Sequence, residues 1–211
     1  MVSSYFQTRY DFHSERKRVW KAICEYLGNY IPPESSVLEL GSGYCDFINN
    51  ITAHKKIAVD ADISSSKFCE KDVSFLNLKV TDIEFEENTF DLVFASNLFE
   101  HLTESELDIL IQKINIILKP KGRLIIIQPN YYYAFKVYWD DYTHRKAFSH
   151  VSLSDFLVSN GFKINKVEKK FLPYSFKSRF PKSYLLTKLY LYSFWHPFAK
   201  QMLVIAEKQN L

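Results

Sequence analysis

The chain has 211 residues, 47% of them hydrophobic, 24% charged and 17% aromatic, with a formal net charge of +3. That length holds one α/β core of ordinary size and excludes two full catalytic domains. No run of about 18 apolar residues occurs, which argues against a membrane-spanning helix.

In chain order, residues 14–30 place Val19, Trp20, Ile23, Cys24 and Leu27 at helical spacing before Gly28 and Pro32-Pro33, which predicts an amphipathic helix. Val37-Leu38-Glu39-Leu40 reads as a buried strand running into Gly41-Ser42-Gly43, with a helical stretch expected over about 46–53. Ile57-Ala58-Val59 is a second strand stopping at Asp60, followed by a helix expected over 64–71. Residues 73–80 form a third strand ending at Thr81-Asp82, and Phe90-Asp91-Leu92-Val93-Phe94-Ala95 a fourth ending at Ser96-Asn97. Thr103, with Glu106 three positions on, caps a helix whose apolar face is Leu107, Leu110, Ile111, Ile114, Ile117 and Leu118. Lys119-Pro120-Lys121-Gly122 is a turn into a fifth strand over 123–128, stopped by Pro129. Ser152, with Asp155 three later, is expected to cap a helix ending at Gly161, and strands over 162–171 and 201–208 are expected to pair beside the parallel core. Between them lies an aromatic and basic insertion of about 30 residues, longer than an ordinary connection.

Alternating strands and helices predict a doubly wound, mostly parallel sheet, whose ligands bind beyond the carboxyl ends of the strands where strand order reverses. Gly41 and Gly43 permit positive φ and bring backbone N–H groups close to a ligand. Asp60, at the end of the next strand, sits where a carboxylate accepts ribose hydroxyls. Together these indicate an adenosine ligand. A dinucleotide fingerprint needs a third glycine, yet Tyr44-Cys45-Asp46 follows Gly43. Glu39 before the glycines repels a phosphate and suits the ammonium of an amino acid. S-adenosylmethionine (SAM) is therefore favoured over a dinucleotide.

Residues 37–43, Asp60, Thr81-Asp82-Ile83 and residues 90–96 resemble the successive motifs of class I SAM-dependent methyltransferases, over roughly residues 35–130. The resemblance implies a Rossmann-like fold, with Asp60 on the ribose, Asp82 on the adenine amino group, the Ile83 backbone beside it, and Ser96-Asn97 near the methionine part. Cys45 stands where many members have a third glycine. Arg9 is expected to pair with the cofactor carboxylate from a segment folded over it. The division expected is 1–30 as an N-terminal helical segment, 35–130 as the cofactor core and 131–200 as the cover on the acceptor side, all within one domain.

The second cluster is Tyr138-Trp139-Asp140-Asp141-Tyr142-Thr143-His144-Arg145. Methyl transfer is an in-line displacement, so the enzyme supplies alignment, dry aromatic walls and, for a hydroxyl, a base. His144 is the expected base, with Asp140 or Asp141 orienting it. Residues 139–144, with Pro129-Asn130 before and residues 171–174 after, resemble methyltransferases found with bacterial surface-polysaccharide enzymes, which implies a sugar hydroxyl as acceptor. A cation among Asn97, Glu100, His101 and His144 is the weaker reading because Asn97 brings no charge, so no metal site is assigned.

Of the 35 aromatic residues, 20 fall between positions 129 and 200, and residues 163–211 carry ten Lys and Arg against two Glu. This basic third suits a phosphate-bearing, glycan-linked acceptor; nucleic acid is disfavoured, and membrane contact is at most peripheral. The rival functions are methylation of a small aromatic or quinone-like acceptor, and a non-catalytic RNA- or membrane-binding module using Lys169, Lys170, Lys177, Arg179 and Lys182. Cys24, Cys45 and Cys69 lack paired spacing and the opening residues lack a signal layout, so a cytoplasmic protein is expected.

Overall fold

The structure is a computed structural model and describes residues 15–173 and 182–209. Arg9, Lys177 and Arg179 lie outside the described residues. The first described helix, α1 (Arg16–Leu27), buries Val19, Trp20, Ile23, Cys24 and Leu27 along the expected face. Strands β1 (Ser36–Leu40), β2 (Lys55–Asp60), β3 (Val73–Asn77), β4 (Phe90–Ser96), β5 (Leu118–Pro129), β6 (Phe162–Glu168) and β7 (Gln201–Lys208) form one sheet in the order β3-β2-β1-β4-β5-β7-β6. The first five are mutually parallel, and β7 runs antiparallel to both neighbours. The expected architecture is borne out, including the antiparallel C-terminal strand.

Both faces of the sheet are covered, which is why β1 and β4 read as apolar runs rather than as alternating strands. On one face Leu38, Leu40, Val93 and Ile126 pack with Leu107, Leu110, Ile111 and Ile114 of α2 (Glu104–Ile117). On the other, Val37, Phe94, Ile125 and Ile127 pack with α1 and with Leu191. Two further helices, α3 (Tyr131–Tyr138) and α4 (His150–Ser159), follow β5, and α5 (Tyr184–Tyr192) packs on α1. No helix among the described residues is long and apolar enough to cross a membrane.

Several local expectations are corrected. The chain returns from Leu40 to Lys55 too quickly for a glycine loop and a full helix. Residues 43–47 are turns, with Gly43 and Cys45 both at positive φ, and only the 3₁₀ turn Ile48–Asn50 follows. The segment after β2 is likewise 3₁₀, Ile63–Phe68, begun by the Asp62 side chain accepting from Ser64 N. Lys119-Pro120-Lys121-Gly122 is absorbed into β5 as an irregularity between the Phe90–Leu118 and Leu92–Arg123 pairs, with Lys121 at φ 63°. Ser149, not Ser152, caps α4: the Ser149 hydroxyl accepts from Ser152 N, and Ser152 Oγ accepts from Ser149 N. Residues 131–138, expected only as part of the acceptor cover, form α3 because the Asn130 side chain accepts from Tyr132 N just after Pro129 ends the strand.

Candidate functional site

Strand order reverses between β1 and β4; the glycine loop follows β1, Asp60 ends β2 and Ser96 ends β4. Gly41 N and Ser42 N both donate to the Val59 carbonyl at 2.8 and 3.1 Å, tying the glycine loop to β2. Gly41 has φ 67° and Gly43 φ 50°, conformations costly for other residues. A Cβ on Gly41 would stand 3.1 Å from Leu98 Cδ1, so the loop after β4 closes directly on the glycine loop.

Asp60 ends β2 half-buried, its Oδ2 accepting from Gly43 N and its Oδ1 from Asp62 N, each at 2.8 Å. A carboxylate offers about four acceptor positions, so two remain for a diol. Burial raises its pKa, with the Asp62 and Gly43 N–H donors opposing. Glu39 is 4% exposed beneath the loop and its Oε2 accepts from Ile48 N at 3.1 Å. Burial, then neighbouring Cys45, hold its proton far above the carboxylate range despite that bond. Asp82 is exposed, with Oδ1 accepting from Thr81 Oγ1, whereas the Ile83 side chain is buried in the core. Ser96 ends β4, and Asn97 follows it at φ 50°. Asn97 Nδ2 donates to Ser96 Oγ, and Gln201 Nε2 at the start of β7 donates to Asn97 Oδ1.

The second cluster is built by joining residues 144–146 to the 3₁₀ turn Phe99–His101: Arg145 N and Lys146 N both donate to the Glu100 carbonyl. His144 is buried, its ring 4.3 Å from that of Tyr138, and its Nδ1 lies 2.7 Å from the Tyr138 carbonyl. A carbonyl only accepts, so Nδ1 carries the proton and Nε2 the lone pair. The orienting partner of the ring is thus a backbone carbonyl. Asp141 Oδ1 instead accepts from Thr143 Oγ1 at 2.6 Å and from Thr143 N at 3.1 Å, and Asp140 is exposed. His101 Nδ1 lies 3.0 Å from the same Thr143 hydroxyl, and its ring is 5.0 Å from that of His144. Burial, then the His144 charge, lower the His101 pKa to about 4, while burial pushes Glu100 up to about 8. The sequence alone already groups Glu100 and His101 with His144, and the bonds from Arg145 N and Lys146 N to the Glu100 carbonyl are what bring the three together.

A doubly wound sheet with a glycine loop at its switch point and a carboxylate, Asp60, ending the next strand is the architecture of nucleotide-binding α/β proteins. The sequence model of the family described as a methyltransferase domain matches residues 12–167, and the chain belongs to that family. It is a class I SAM-dependent methyltransferase. An uncharacterized protein of Methanocaldococcus jannaschii is 31% identical over 171 residues, 79% of this chain and 70% of that protein. The eEF1A lysine and N-terminal methyltransferase of Mus musculus is 24% identical over 139 residues, 60% of this chain but only 20% of that protein. Among solved structures, a SAM-dependent methyltransferase from Archaeoglobus fulgidus superimposes with a TM-score of 0.71 at 20% identity, covering 98% of each chain. A chain from a complex containing the Trm112 methyltransferase activator of Haloferax volcanii gives 0.68 at 14% identity, covering 92% of this chain and 91% of that one.

Proposed function

We propose that the chain methylates an oxygen nucleophile, specifically a sugar hydroxyl on a nucleotide- or lipid-linked glycan. The observation carrying this reading is the cluster of buried Glu100 and His144 with half-buried His101 beside the loop after β4, which Leu98 links to the glycine loop. An amine acceptor needs only alignment and a path for its proton, whereas a hydroxyl must be acidified as it attacks. A set of two imidazoles and one carboxylate, with Glu100 and His144 buried, suits the second task. The Tyr138 ring gives it one apolar wall, and the basic C-terminal third suits a phosphate-bearing acceptor.

The strand-end residues fit SAM in the chemistry of their donors. The Asp60 carboxylate retains acceptor capacity for the ribose diol, and the turn at Asp82-Ile83 supplies a carboxylate and a backbone edge for adenine. Ser42 Oγ is buried without a hydrogen-bond partner among the described residues, a polar atom suited to a ligand in the loop. Ser96, Asn97 and the Glu39 side of the loop take the amino-acid end, with Arg9 assigned to its carboxylate. SAM supplies an electrophilic methyl on a sulfonium. The chain's own residues hold the acceptor in line, exclude water and remove the hydroxyl proton at the Glu100, His101 and His144 cluster.

Calorimetry with SAM and a methyl-transfer assay on nucleotide-linked and lipid-linked sugars test both halves. Asp60→Ala is expected to weaken SAM binding at least tenfold. His144→Ala is expected to abolish transfer while leaving SAM affinity within about twofold, since it removes a group used only in the transition state. Unchanged SAM binding in the first variant, or full turnover in the second, overturns the corresponding assignment.

A further inference from the structure

We infer that Glu100, His101 and His144 form a binding site for one first-row divalent cation, which holds the acceptor through two neighbouring oxygens. The inference rests on the oxygen-acceptor reading for its function but not for its existence.

The ligand atoms of the three residues lie within 4.8 Å of one another. Around a cation with bonds of about 2.1 Å, ligand atoms sit roughly 3 to 4 Å apart, so the set closes by about an ångström on binding. Both rings are held as metal-bound imidazoles are held, through the nitrogen that does not ligate. His144 gives Nδ1–H to the Tyr138 carbonyl. The Thr143 hydroxyl donates to Asp141, so at its contact with His101 Nδ1 it accepts, and His101 also carries its proton on Nδ1. Each ring therefore presents an Nε2 lone pair, and His101 Nε2 lies 4.0 Å from Glu100 Oε1.

Glu100 supplies the independent observation. It is 1% exposed, and neither carboxylate oxygen has a hydrogen-bond partner among the described residues. No lysine or arginine among the described residues forms an ion pair with it. A buried carboxylate with nothing to satisfy it is costly, and a cation facing two imidazole lone pairs satisfies it. Asn97, by contrast, is engaged by Ser96 and Gln201, which leaves a three-ligand set.

Two imidazoles and a carboxylate select Mn²⁺, Fe²⁺, Co²⁺ or Zn²⁺ over Mg²⁺ and Ca²⁺, which prefer all-oxygen shells. Three protein ligands leave open positions, enough for an acceptor carrying adjacent hydroxyls. The cation acidifies one of them, and its proton passes to the Glu100 carboxylate oxygen that does not ligate. That oxygen then bonds to the methyl carbon as the carbon–sulfur bond breaks, with sulfur keeping the electron pair and becoming a neutral thioether.

The test is titration of chelator-stripped protein with Co²⁺, read by its visible absorption and by metal content after gel filtration. One equivalent is expected for the wild type, with affinity lowered by about 100-fold or more in Glu100→Gln and in His101→Ala. SAM calorimetry on the same variants checks that they are folded. Absence of stoichiometric Co²⁺ in the wild type, or unchanged affinity in folded Glu100→Gln, overturns the site. Cation binding without methylation of any sugar overturns the acceptor and leaves the site standing. Full turnover of sugar in stripped protein does the reverse for the cation's role.

Discussion

At Cys45 the cofactor loop keeps a glycine's backbone without a glycine. Its φ is 53° and its side chain is fully buried, with Sγ 3.7 Å from the Ser65 carbonyl. A left-handed conformation costs a residue with a Cβ roughly 1–2 kcal/mol, while burying a small side chain returns about as much. Cys45→Ala keeps the strain and loses the sulfur; Cys45→Gly removes both. The glycine variant is therefore expected to melt at or above the alanine variant, although it deletes more buried surface. Paired thermal melts check this, and an alanine variant more stable by over about 1 kcal/mol would show the loop to be unstrained. The sequence announced Cys45 as a departure from a glycine pattern, but not which conformation survived it. Asp60 was legible because a carboxylate at a strand end follows from chain order. The partner of His144 was not, since a backbone carbonyl is anonymous in sequence.

Elements with self-contained signals were read correctly, and α2 is the clearest. The Thr103 hydroxyl accepts from Glu106 N, and the Glu106 carboxylate accepts from Thr103 N at 2.9 Å. Both partners lie in four consecutive residues, so the box was visible in the string. Thr103→Ala is expected to cost about 1 kcal/mol in urea unfolding at pH 7. The Thr103 backbone N–H, then its hydroxyl, lower the Glu106 pKa below its ordinary 4.5. A depressed carboxylate stabilises fully above the unfolded value and loses that contribution as pH falls through the folded value. The penalty of Thr103→Ala should therefore shrink below pH 4.5, and a constant penalty would show that the Thr103 hydroxyl adds nothing to the Glu106 carboxylate, whose bond from the backbone N–H of residue 103 survives in the variant. The stretch after Gly43 misled for the opposite reason. Its helical composition is local, whereas what prevents a full helix is the short return to Lys55 and the capture of Asn49 Nδ2 by the Phe68 carbonyl, 19 residues away.

For the molecule as a whole, alternation and right-handed crossovers announce a doubly wound parallel sheet, whereas the order that puts the switch point between β1 and β4 is read from the structure. What alternation does not reveal is how the two sides of that point communicate. Leu98 is placed to connect them: its side chain lies against Gly41, and it immediately precedes the turn bearing Glu100 and His101. SAM binding only to the folded chain stabilises it by about 2.7 kcal/mol at a hundred times its Kd, equivalent to a Tm rise of roughly 5–10 °C for a domain of this size. Leu98→Ala opens space behind the glycine loop, so binding must spend free energy on fixing the loop. If that weakens affinity tenfold, about 1.4 kcal/mol, the Tm rise at the same SAM concentration falls to about half. A smaller loss of stability in the absence of SAM is also expected, because Leu98 is only partly buried against the core. The two effects separate in melts with and without SAM. A variant that loses stability but keeps the full SAM-induced shift would reduce Leu98 to a packing residue and disconnect the cofactor loop from the acceptor cluster.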